Sequence, residues 1–179
     1  MSIAAIIGTA AVKKGLFVKQ AEVHGMSQRG GDVQSHLRLS GSDIASDLIP
    51  FGGADMIISV EPMESLRYLP MLKPGGWLIT NTRPFVNIPN YPPIDDVLGE
   101  ISRLSNHVAL DADKMATDLG SSKSANIVIL GAATLVIDIP FDQLEDAIRA
   151  VFGRKGEEVV NQNLSALRAG RDFALSLKS

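Results

Sequence analysis

A chain of 179 residues, 45% of them apolar and 21% charged, has the makeup of one folded domain with a full core, not of a disordered or collagen-like chain. A formal net charge of -3 argues against a general nucleic-acid binder. With no cysteine, the chain has no disulfide scaffold, no thiolate zinc site, no catalytic thiol and no iron–sulfur cluster held by its own thiolates.

No charged segment running into an apolar one opens the sequence, so no signal peptide is read. The longest apolar run, Ile127 to Ile137, includes Gly131 and Thr134. It falls well short of the about 18 residues that a membrane span needs. The expectation is a soluble cytoplasmic protein without a membrane partner.

Taken in chain order, Ser2 to Lys14 reads as a helix rich in Ala and Ile, with Ser2 to cap it and Gly15 to stop it. Leu16 to Val23 reads as a strand, and His24 to Gly31 as a glycine-rich loop. Val33 to Leu39 then alternates: Val33, Ser35, Leu37 and Leu39 on one face, Asp32, Gln34, His36 and Arg38 on the other. Period two with one polar face predicts a strand open on one side to water or to a partner.

Ala54 to Val60 predicts a buried strand. Pro62 suits the first turn of a helix carrying Met63, Leu66 and Leu69. Lys73-Pro74-Gly75-Gly76 is a turn signal before a strand from Trp77 to Thr82. The four prolines between Pro84 and Pro93 predict an extended loop. A helix is expected over Asp95 to Leu104 and a short strand over Val108 to Leu110. Ser124 to Ile137, apolar nearly all round, predicts a buried helix in preference to a strand. Leu144, Ile148, Val151 and Phe152 mark a helix ended by Gly153, and Val160, Leu164, Leu167 and Ala174 mark a last one. Strands interleaved with helices predict an α/β fold: a three-layer α/β/α domain with a mixed, mainly parallel sheet.

The densest cluster of unusual residues is Glu22-Val23-His24-Gly25-Met26-Ser27-Gln28-Arg29-Gly30-Gly31. If the strand runs through His24, Glu22 and His24 share a face, and the carboxylate favours the charged imidazole. Gly25, Gly30 and Gly31 permit tight turning and close backbone approach. Ser27, Gln28 and Arg29 supply donors, and Arg29 suits a carboxylate or phosphate. From the residues alone the segment is either a site or a polar connection between two strands.

This run resembles the signature of the gamma-type domain of 2-oxoacid:acceptor (ferredoxin) oxidoreductases. Further matching residues keep their order: Ala54-Asp55, the stretch Glu61 to Leu69, the Lys73 to Gly76 turn, Asn81-Thr82, and Ser124-Ala125-Asn126 opening the apolar helix. The Glu61 stretch and the segment Ile88 to Pro93 are most similar to the small (beta) subunit of the indolepyruvate branch. The resemblance implies one gamma-type domain over residues 1–179. It implies an enzyme that oxidatively decarboxylates 2-oxoacids to acyl-CoA, with CoA as cosubstrate and ferredoxin as electron acceptor.

The same resemblance places thiamine diphosphate, Mg and the Fe–S clusters in a large (alpha) partner subunit. This chain has neither a cysteine nor a Gly-Asp-Gly segment followed by an Asn-Asn pair. The expectation is therefore a subunit that binds none of these alone and is inactive alone; without its partner it is expected to be unstable or to self-associate as a homo-oligomer. The family opens with a strand and a G-x-G-G-Q-G loop before the first helix. Here Met1 stands where that loop ends, so the expectation is either a sheet lacking one strand or a start assigned too late.

The remaining features are weaker. Glu61 and Glu64 complement a helix dipole, and Glu61 also sits where α/β sheets place ligand contacts, as does Asn81. His36 and His107 have no second ligand at metal spacing. Asp111 and Asp113 read as helix-capping groups, Asp95-Asp96 as a solvated helix start, and Tyr91 as a loop or interface anchor. Leu72 to Trp77 is similar to a segment of S-adenosylmethionine methyltransferases, but the early glycine-rich loop is lacking. The competing functions are a stand-alone nucleotide- or CoA-binding module and, behind it, a methyltransferase.

Overall fold

A computed structural model describes residues 3–24 and 33–177, with His24 described by its backbone alone. In chain order the elements are α1 (Ile3–Lys13), β1 (Phe17–His24), β2 (Val33–Ser40), β3 (Ala54–Ser59), α2 (Pro62–Arg67), β4 (Leu72–Asn81) and α3 (Ile94–Ser102). Then come β5 (His107–Leu110), α4 (Ala112–Asp118), α5 (Ala125–Ala133), α6 (Phe141–Phe152) and α7 (Glu157–Ser176).

Strands β3, β4 and β5 form a parallel sheet in that order, with Ile58 opposite Ile79 and Ile79 opposite Val108. Successive residues of a strand face opposite ways, so β4 splits the core in two. Ile79 points into the larger cluster with Val108, Leu110, Ile127, Leu130 and Leu144. Leu78 points into the smaller one with Val97 and Ile101, beneath Met63 and Leu66. Helices α2 and α3 thus cover one face, while α1 and α4 to α7 supply the other: three layers, as expected. Both side chains are fully buried, worth about 1.5–3 kcal/mol each.

The two strands read on either side of the glycine-rich loop pair antiparallel, with Phe17 opposite Ser40 and His24 opposite Val33. Among the described residues it is a two-stranded sheet of its own and is not joined to the parallel one. Among the described residues the one mixed sheet expected is therefore two sheets, an antiparallel pair and a parallel three-stranded one.

Three local expectations need correction. In β3 only Ala54 is buried, because the strand lies at the edge of the parallel sheet. Strand β4 starts at Leu72, not Trp77. The turn signal is real, with Gly75 at φ 75°, but it sits as an irregularity inside the strand, where the pairing slips between Ala54 and Met56. The polar face of β2 is not open: His36 is buried, and its Nδ1 accepts the Ile49 N–H at 2.9 Å. Arg38 donates to the Ser46 and Leu48 carbonyls at 2.9 and 3.2 Å. The occupant of that face is the chain's own 41–50 segment.

Helix α5 is buried from Ile127 to Ala133, which explains its unbroken apolar composition. It crosses α7 with Gly131 and Gly170 at the contact. A Cβ on Gly131 would lie 2.1 Å from the Leu167 carbonyl oxygen. The buried residues of α6, Leu144, Ala147, Ile148 and Phe152, follow the period expected of an amphipathic helix.

Candidate functional site

At the carboxyl ends of β3, β4 and β5 two sequence candidates meet chemically matched partners. Glu61 follows β3 and is the N-cap of α2: its Oε2 accepts the Glu64 N–H at 2.7 Å. Its Oε1 accepts the Tyr91 hydroxyl and the Phe85 N–H, the latter at 3.4 Å. One carboxylate therefore starts a helix and also ties down the proline-rich segment 84–93. Burial pushes the Tyr91 phenol well above its ordinary range, and the hydrogen bond and charge of Glu61 push it further.

Asn81, at the end of β4, is buried. Its Nδ2 donates to the Val60 carbonyl at 3.3 Å and to Asp113 Oδ2 at 2.7 Å, and its Oδ1 accepts the Ala112 N–H at 3.0 Å. The amide thus joins β3, β4 and the start of α4, with both of its ends engaged. Asp111 caps α4 as expected, accepting the Lys114 N–H at 2.9 Å. Asp113 does not cap. It is the partner of Asn81, which spacing alone did not show.

The described part of the signature run, Glu22 to His24, lies elsewhere. Strand β1 extends through His24, so Glu22 and His24 are two positions apart on one strand. Glu22 Oε1 accepts from Gln20 Nε2 at 3.1 Å, and the same amide donates to Ser35 Oγ at 3.2 Å across the pair. Gly25, Met26, Ser27, Gln28, Arg29, Gly30 and Gly31 lie outside the described residues. The strand ends flanking them, Val23 and Gln34, border a groove of about 440 Å³ with His36, Phe51, Tyr68 and Pro70. Pro70 precedes β4, so this groove is at the opposite end of the parallel sheet from Glu61 and Asn81.

Asn126 is in a third place. It lines a cleft of about 390 Å³ with Ser121, Lys123, Ser124, Lys155 and Asn163. Ser124 there is tied to Ser121 and Asn163 at 2.8 and 3.4 Å. The described site candidates are therefore not gathered into one pocket. His107 engages the Leu104 carbonyl at 2.7 Å, and among the described residues no cluster of three or more His, Asp or Glu could hold a metal.

The fold is α/β, and at its sheet end the Glu61 carboxylate is engaged by Tyr91 and the Asn81 amide by Asp113. The chain belongs to the pyruvate ferredoxin/flavodoxin oxidoreductase family, whose pattern matches residues 1–173. It is 37% identical over 180 residues to indolepyruvate oxidoreductase subunit IorB of Archaeoglobus fulgidus, covering 96% of this chain and 87% of that one. It is 34% identical to the Pyrococcus horikoshii subunit of the same name, covering 95% and 87%.

The fold matches the gamma subunit of a keto/oxoacid ferredoxin oxidoreductase from Geobacter sulfurreducens, with a TM-score of 0.67, 23% identity, and coverage of 97% of this chain and 90% of that one. It also matches 2-oxoglutarate:ferredoxin oxidoreductase from Magnetococcus marinus, with a TM-score of 0.72 and 21% identity. This chain spans 97% of its own length in that match but only 28% of the other chain. In pyruvate:ferredoxin oxidoreductase of Moorella thermoacetica the matching part, 28% identical, is 13% of the protein.

Proposed function

We propose that this chain is the small subunit of a 2-oxoacid:ferredoxin oxidoreductase of the indolepyruvate, aryl-pyruvate type. The observation that carries the reading is the 37% identity to an indolepyruvate oxidoreductase subunit over nearly the whole of both chains. In the complete enzyme a 2-oxoacid and CoA become an acyl-CoA and carbon dioxide, and the electron pair released passes to ferredoxin.

Thiamine diphosphate, Mg and the Fe–S clusters are assigned to the large subunit. The residues here do not fit them: there is no thiolate, and the carboxylates at the sheet end are committed to Tyr91, Asn81 and helix caps. Residues 1–179 are read as one gamma-type domain acting in the cytoplasm. Among the described residues no helix is long and apolar enough to cross a membrane.

The run His24 to Gly31 is assigned to the large subunit's side of the contact, near its active site. There Arg29, Gln28 and His24 position substrate, CoA or a partner loop electrostatically. Its setting supports this, since the strands that carry it form a pair separate from the main sheet.

The test is anaerobic co-purification with the native partner, identification of that partner by mass and iron content, and a 2-oxoacid panel with CoA and ferredoxin. Preferred oxidation of indolepyruvate or phenylpyruvate supports the assignment. Oxidation of pyruvate or 2-oxoglutarate alone overturns the aryl type. Arg29→Ala in the complex should lower turnover or weaken assembly. If it changes neither, the role given to the signature run is wrong.

A further inference from the structure

The exposed apolar side chains around Glu61 are arranged in a way that the chain's own folding does not require. Val60, just after β3, is 58% exposed, and Phe85 and Val86, in the loop after β4, are 69% and 66% exposed. Ile88 is also exposed. Val60 and Phe85 flank one carboxylate: Glu61 follows Val60 in the chain, and its Oε1 accepts the Phe85 N–H at 3.4 Å.

This loop is held by polar groups, by Tyr91 packed on the smaller core cluster and by its own backbone, not by burial of Phe85, Val86 or Ile88. Glu61 takes the Tyr91 hydroxyl and the Phe85 amide, and Pro84, Pro89, Pro92 and Pro93 restrict the chain between. The run Pro84 to Pro93 carries no charge in a chain that is 21% charged. Arg83 before it is exposed, and Asp95 and Asp96 follow it. An uncharged, aromatic-bearing centre with charged residues at its margin is the composition of an interface core and its rim. A loop already fixed by prolines and a half-buried clamp loses little further freedom on binding.

The geometry points to a docking loop: residues 84–88, with Val60 beside them, seat Phe85 and Val86 in an apolar, uncharged recess of the large partner subunit. This rests on the proposed function. The occupant is the large subunit because relatives carry the same domain both as a named subunit and as 13% of one long chain, an architecture that gives it a permanent neighbour. Glu61 is a positioning residue here. It holds the loop and does not touch the partner.

The experiment compares the wild-type chain with Phe85→Ser/Val86→Ser, each co-purified with the native partner and titrated by sedimentation. Amide exchange is followed over residues 85–88 in the free and bound chain. Both substituted side chains are exposed, so the free variant should unfold at the wild-type temperature. The inference expects binding weakened about tenfold or more, as for loss of an aromatic anchor, and slowed exchange at residues 85–88 only in the wild-type complex.

Unchanged binding and unprotected amides, with the partner still captured by the wild type, overturn the docking loop and leave the proposed function standing. Failure of the wild type to capture any thiamine diphosphate- and iron-bearing subunit overturns both. If the substitutions abolish only self-association of the isolated chain, the face belongs to a second copy and the inference falls.

Discussion

Gly131 of α5 and Gly170 of α7 bring two helix backbones together with no side chain between them. A Cβ on Gly170 would lie 1.9 Å from the Val128 carbonyl oxygen, and one on Gly131 2.1 Å from that of Leu167. The obstacle in each case is backbone, which cannot rotate aside. This crossing fixes the C-terminal helix against the centre of the larger core, where Val128 and Leu167 are both fully buried.

Gly170→Ala should therefore destabilise the chain. Alanine gains about 1 kcal/mol of helix propensity over glycine, but the two helices must separate to admit the methyl group. A net loss of about 2 kcal/mol is expected, within the range for overpacked cores. At about 2–4 °C per kcal/mol for a domain of this size, thermal unfolding should move down by roughly 4–8 °C. An unchanged midpoint would show that the helices are not in backbone contact.

The Glu61–Tyr91 clamp makes a prediction in the alkaline range. Tyr91 ionises above its ordinary value of 10.0 because burial, and then the hydrogen bond and charge of Glu61, favour the neutral phenol. Below about pH 10 folded and unfolded chains both keep the proton, and the clamp contributes in full. Above it the unfolded chain ionises first, so stability falls as pH rises. Tyr91→Phe should cost about 1 kcal/mol at pH 7 for the lost hydrogen bond and flatten the decline above pH 10. Parallel stability curves for the two proteins between pH 9 and 11 would contradict the assignment.

His36 offers a test confined to one amide. Its buried Nδ1 is the acceptor for Ile49 N–H at 2.9 Å, on the strand face that the 41–50 segment covers. His36→Leu leaves that N–H unpaired, at about 1–3 kcal/mol, while His36→Asn offers an amide oxygen at a similar reach. Exchange of the Ile49 amide should accelerate at least tenfold in the first variant and much less in the second. Equal acceleration in both would mean that the ring packs there without serving as an acceptor.

These residues also show what the sequence could and could not reveal. Period and punctuation located α6, α7 and β2 well, because their apolar residues recur at helical or strand spacing. Family resemblance was legible in the signature run and the Glu61 stretch. What remained hidden depends on residues distant in sequence. His36 and Ile49 meet because a loop folds back over β2, and Asn81 and Asp113 meet because β4 and β5 are neighbours. Local alternation cannot tell a face covered by the chain's own loop from one left to solvent. Spacing placed Asp113 beside Asp111 as a second cap, since the competing partner is 32 residues away. The docking loop had a local sign, its run without charge, but its exposure appears only once Glu61 is seen to hold it.

Asn81 separates a structural amide from a ligand contact. Its two ends already serve Val60, Ala112 and Asp113, so no hydrogen-bonding group of the side chain is left over for a substrate except the oxygen's second lone pair. Asn81→Asp turns the donor facing Asp113 Oδ2 at 2.7 Å into an acceptor and sets two carboxylates against each other. The isolated chain should lose about 2–4 kcal/mol at pH 7. Repulsion raises the affinity of the pair for a shared proton, so the folded state binds more protons than the unfolded one, and part of the loss should return as pH falls toward 5. Asn81→Ala should cost less and show no such recovery. A ligand-binding role predicts the reverse pattern: both variants as stable as the wild type when isolated, with a defect that appears only in the turnover of the assembled enzyme.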